Sequence, residues 1–143
     1  DNAVRHPQLL ERIRQDGHTI GNHTYHHLRG CQVTTKHYLD DVKQASKVLD
    51  TKIFRPPHGR MKGCQKRALL ARGYTICLWD VLPHDYNPRY SVEHMLKIIK
   101  QYTRNGSIIT CHDSLKSRDR VLDLLPRMIE WLIGEGYRLE VIG

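Results

Sequence analysis

With 143 residues, 39% of them hydrophobic, the chain can enclose one core of ordinary size and is too short for two domains. Its 23 Lys and Arg against 15 Asp and Glu leave a formal charge of +8, yet the basic residues are scattered and lack the aromatic interleaving of a single-strand binder, which argues against nucleic acid as the partner. No apolar run reaches the length of a membrane span, and no signal-peptide pattern opens the chain. A single domain over residues 1–143 is expected.

In chain order, Leu9, Leu10 and Ile13 at helical spacing before Gly17 predict a first helix. Residues 18–23 read as short and extended. Thr34 or Thr35 can cap a second helix with Leu39, Val42, Ala45, Val48 and Leu49 on one face. Residues 52–55 read as a strand, Pro56 and Pro57 fix the loop after it, and a third helix around Ala68, Leu69 and Leu70 stops at Gly73. Residues 74–79 form a buried-strand candidate. Ser91 caps a fourth helix with Val92, Met95, Leu96, Ile99 and Tyr102 inward, ended by Asn105-Gly106 before a strand over 107–111. The last helix, about 118–133, carries Val121, Leu122, Leu125, Met128, Ile129 and Leu132 for burial, and 137–142 reads as a closing strand.

This alternation predicts parallel strands joined by right-handed crossovers, in an open sheet or a barrel. His23, Arg55, Trp79 with Asp85, and His112 with Asp113 fall at or just after predicted strand ends, where α/β barrels gather their catalytic groups. Cys31, Cys64, Cys77 and Cys111 show no CxxC spacing; Cys77 and Cys111 lie in apolar runs and read as buried, reduced thiols.

Residues 21–27, Gly-Asn-His-Thr-Tyr-His-His, place His23 and His27 four positions apart, a spacing that puts both imidazoles on one side of a helical turn within reach of one cation. Zinc accepts such ligands, although histidines this close also occur in surface loops that bind nothing.

Taken with Arg55-Pro56-Pro57-His58-Gly59, with Leu78-Trp79-Asp80 followed by Asp85-Tyr86, and with residues 106–113, Gly-Ser-Ile-Ile-Thr-Cys-His-Asp, the chain closely resembles the polysaccharide deacetylases of the NodB-homology type, carbohydrate esterase family 4. The motifs follow the family's order and span nearly the whole chain. The resemblance implies a distorted (β/α) barrel, incomplete at its N-terminus, and hydrolysis of acetyl groups from an acetylated polysaccharide or oligosaccharide, peptidoglycan or chitin-like. It implies His23 and His27 as two of three protein ligands to a divalent metal, commonly zinc. Arg55 would orient the catalytic aspartate, Pro57 and Gly59 would shape their loop, and the backbone N–H of His58 would help bind the oxyanion. Trp79 would line the acetyl pocket. His112 would be the general acid that protonates the leaving amine, held charged by Asp85, since a carboxylate neighbour raises an imidazole from its ordinary value near ~6.5. The metal would supply the nucleophile by acidifying its water to a pKa near ~7. A cell-envelope or secreted location is favoured over a cytoplasmic one.

One family motif is unmatched: the Thr-Phe-Asp-Asp-like strand end whose aspartates serve as catalytic base and third metal ligand. The expectation is an upstream segment of roughly 30–40 residues, about one βα unit, carrying that pair, without which the chain should not turn over. Asp40, Asp41 and Asp50 are read as a solvated helix face, and His26 as a mere neighbour of the ligands. His84 is read as a surface histidine without a task, and Trp131 as packing. A catalytically dead relative that binds glycan through the Trp79 pocket would keep the same motifs.

Overall fold

The computed structural model describes residues 2–142, which divide into two units, residues 2–78 with 141–142 and residues 79–140. The first unit opens with α1 (Asn2–Arg5) and α2 (Pro7–Gln15). Pro7 starts α2 and an Arg12–Asp16 ion pair at 2.8 Å closes it, but its apolar face is not buried: Leu9 is 57% exposed and Ile13 42%. The next helix, α3 (Thr35–Ser46), starts as the sequence predicts, with the Thr34 hydroxyl accepting the His37 N–H.

Strands β1 (Ile53–Phe54) and β2 (Thr75–Ile76) flank α4 (Gly63–Leu70) and pair in parallel, Ile53 opposite Thr75 and Phe54 opposite Ile76. Asn22 joins the other side of β1, its N–H donating to the Ile53 carbonyl while its own carbonyl accepts the Arg55 N–H. Phe54 lies edge-on between the rings of Tyr38 and Tyr74, and these three pack with Val42 and Leu69 as the core of this unit.

In the second unit Val81 bridges Ile109 in parallel, and two helices cover that link: α5 (Val92–Tyr102) and α6 (Arg118–Gly134). The Ser91 hydroxyl caps α5 by accepting the His94 N–H. Met95, Ile99 and Leu124 are fully buried, each worth about 1.5–3 kcal/mol of transfer from water.

The α/β alternation is therefore present, but several expectations need correction. Among the described residues the only regular sheet is two-stranded and no closed barrel forms. Residues 107–111 contribute one bridge rather than a strand, and 137–142 form no strand. Leu139 and Val141 there are more than half exposed, so their apolar character finds no partner strand to pack beside. In α6 the buried line runs Leu124, Met128, Leu132, one residue in every four, whereas Leu122 and Ile129 face outward. Tyr102, placed inward by its spacing, is 56% exposed. No helix among the described residues is long and apolar enough to cross a membrane.

Candidate functional site

The segment holding His23 and His27 owes its shape to side chains that the histidine spacing does not advertise. Asn22 is fully buried; its amide donates to the Val42 carbonyl and the Ser46 hydroxyl, both at 3.0 Å, and its oxygen accepts the Thr24 N–H at 2.9 Å. Thr24 and His27 both take left-handed backbone, φ 63° and 57°, and the Thr24 hydroxyl between them accepts the Leu28 N–H. The segment is thus a loop, not the helical turn that four-residue spacing suggests.

Its geometry still brings the two imidazoles together, ring centroids 5.0 Å apart. The Nδ1 of His23 lies 2.6 Å from the Arg55 carbonyl, which can only accept, so Nδ1 carries the proton and Nε2 keeps a free lone pair. Burial holds His23 below the usual imidazole range, against the opposing pull of that hydrogen bond, and the nearby His27, Arg55 and His58 push the same way as burial. His23 and His27 line a cavity of about 250 Å³ with residues of α1 and α3. Two neutral-capable imidazoles with one tautomer preset fit two ligand positions of a divalent cation. Among the described residues no group of three His, Cys, Asp or Glu is placed to hold a metal ion.

Arg55 follows β1 and reaches the segment just after β2: one terminal nitrogen donates to the Leu78 carbonyl at 3.1 Å, and the buried Nε has no partner among the described residues. Pro57 is buried and begins a short 3-10 turn, Pro57–Gly59, in which His58 adopts left-handed φ of 56°. The His58 ring lies on the surface, 4.9 Å from that of His27, and accepts a hydrogen bond from Arg29.

In the second unit Trp79 is half-buried, and the loop after Val81 carries Asp85, which is entirely buried. One Asp85 oxygen accepts the His112 backbone N–H and the other its Nδ1–H, both at 2.7 Å. Arg120 on α6 donates to the Asp85 carbonyl, and the buried Ser117 hydroxyl donates to that of His112, so both partners are tied to the start of α6. The His112 side chain remains 41% exposed, with Nε2 unclaimed by Asp85.

Several of these residues escape sequence reading. Asp41 is not on a solvated face: it is 4% exposed and bonds His26, which is therefore more than a neighbour. The signal was available, because Asp41 shares a stripe with Tyr38, Val42 and Ala45 on α3. His84 also has a task, meeting the Tyr86 hydroxyl at 2.9 Å while Tyr86 stands edge-on to His112 at 5.0 Å. No local pattern marks Arg120 or Ser117.

The polysaccharide deacetylase family profile matches residues 1–77. A peptidoglycan-N-acetylglucosamine deacetylase of Bacillus cereus is 27% identical over 96% of this chain, which spans 68% of that protein. A second Bacillus cereus protein of the same name is 26% identical over 96% of the chain, which spans 52% of it. The crystal structure of the Bc1960 peptidoglycan N-acetylglucosamine deacetylase superposes with a TM-score of 0.93 at 25% identity, covering 99% of this chain and 69% of that one. The match over more than half of the chain, joined to the motifs above, settles the family: this chain belongs to the polysaccharide deacetylases, as a NodB-homology domain of carbohydrate esterase family 4.

Proposed function

We propose that the protein is a metal-dependent hydrolase that releases acetate from N-acetylated sugars of a cell-envelope polysaccharide, peptidoglycan or a chitin-like glycan. The named activities of its relatives support the substrate class. The observation that carries the reading is the double hold of Asp85 on His112. Amide hydrolysis needs a proton delivered to a very poor leaving group, and the hold fixes which imidazole nitrogen can deliver it. With Nδ1 committed to Asp85, Nε2 is the nitrogen left to protonate the departing amine, and the adjacent carboxylate offers a counter-charge to the imidazolium.

His23 and His27 would hold the divalent metal, with the His23 tautomer preset by the Arg55 carbonyl. When bound, such a metal polarises the acetyl carbonyl and acidifies water. The buried, unpaired Nε of Arg55 suits a guanidinium that orients a carboxylate, the role its motif implies. Trp79 would wall the acetyl group, Pro57 would fix its own loop, and the His58 N–H would meet the developing oxyanion. The base and the third ligand, both aspartates in the family, match no residue of this chain, so the test requires the full-length protein.

Full-length protein stripped by chelator should release no acetate from N-acetylated chito-oligomers or peptidoglycan fragments, and zinc should restore release. Turnover that survives stripping overturns the mechanism. A zinc-loaded protein that binds glycan and never releases acetate would be the inactive glycan-binding relative instead.

A further inference from the structure

We propose that Asp41 is the positioning residue of the His23–His27 loop: from α3 its buried carboxylate holds the loop in the conformation that keeps the two imidazoles together. The carboxylate accepts three hydrogen bonds, from the Tyr25 N–H at 2.6 Å, the His26 N–H at 3.0 Å and the His26 ring at 2.6 Å. All three come from between the two ligand histidines. A carboxylate only 4% exposed is costly unless it is fully bonded, and this one is satisfied entirely by that loop.

The loop needs such a hold. It contains two non-glycine residues in left-handed backbone, Thr24 and His27, a conformation that costs energy and persists only where the surroundings over-determine it. Asn22 anchors the entrance of the loop to Val42 and Ser46, and Asp41 catches its middle one residue before Val42. Both anchors stand on α3, whose Tyr38 and Val42 are locked in the core, so the loop inherits the rigidity of a packed helix. His26, next to a ligand but with its ring turned to Asp41, serves this hold rather than the cation.

The consequence for metal affinity rests on the reading of His23 and His27 as ligands; the hold on the loop does not. Two measurements separate them. In the wild-type full-length protein without metal, the Tyr25 and His26 amides should exchange hydrogen as slowly as those of α3, and fast exchange like that of an open loop overturns the proposal without any variant. In Asp41→Ala both amides should lose protection, and the zinc Kd should rise about 10- to 100-fold, as for loss of an outer-shell partner. Asp41→Asn, which keeps an oxygen for the two backbone donors, should restore amide protection, and Met95→Ala, in the core of the second unit, should lower stability without changing the zinc Kd. An unaltered exchange rate in Asp41→Ala overturns the proposal. Lost protection in a protein whose wild type binds no zinc supports the hold on the loop and sinks the metal reading alone.

Discussion

Asp85 holds His112 by both its backbone and its ring, so the carboxylate fixes where the histidine stands as well as which nitrogen bears its proton. Asp85→Asn retains one oxygen for the backbone N–H but breaks the matched ring contact. It should lower kcat for acetate release by about 100-fold or more, with KM and zinc content little changed. Steady-state kinetics beside metal analysis check this. A fall in zinc content would move His112 from acid to ligand.

His23→Ala and His27→Ala should each abolish stoichiometric zinc binding, because each removes one of only two imidazoles placed together in that loop. His112→Ala should leave zinc content intact and stop turnover. Calorimetric titration of the three variants distinguishes the roles, and equal zinc loss in all three would refute the division.

The Asn22 side chain makes three hydrogen bonds from a site with no exposure. Asn22→Ala strands the Thr24 N–H, while the Val42 carbonyl keeps the Ser46 hydroxyl, and should cost on the order of 1–3 kcal/mol in urea unfolding. A change below about 0.5 kcal/mol, the scale of ordinary surface substitutions, would show that the loop relaxes freely.

The cysteines should separate by pH. Cys64 is exposed, and its Thr35 hydroxyl contact holds the thiol below its ordinary value, whereas burial, aided by the Asp85 charge, pushes Cys111 up to about 11. Since the thiolate is the nucleophile, alkylation near pH 8 should label Cys64 first, and Cys111 should gain reactivity only as the solution approaches its raised value. Mass mapping of iodoacetamide adducts across pH decides it; early labelling of Cys111 would contradict its burial.

The helices were legible because their signals are local. Thr34 and Ser91 each cap the helix assigned to them, and Met95 and Ile99 are buried as their spacing requires. The strands were legible only in part: β1 and β2 fall inside the stretches expected at 52–55 and 74–79, whereas residues 107–111 and 137–142 are apolar enough, but a strand exists only beside a partner, and pairing is a tertiary fact. For the candidate site, the motifs singled out His23, His27, Arg55, Asp85 and His112 as candidates. They could not show that Asp41 and Arg120 tie those loops to helices, since the partners lie 15 and 35 positions away.

Thr24, His27, His58 and His84 are the non-glycine residues with positive φ among those described, and three of the four are histidines. A consensus-minded engineer would be tempted to relax such positions with glycine, which adopts that geometry freely. Doing so would trade imidazole chemistry for conformational ease at the places where the chain has chosen discomfort. Thermostabilised versions of this protein should therefore come from its helices, with those four loop positions left untouched.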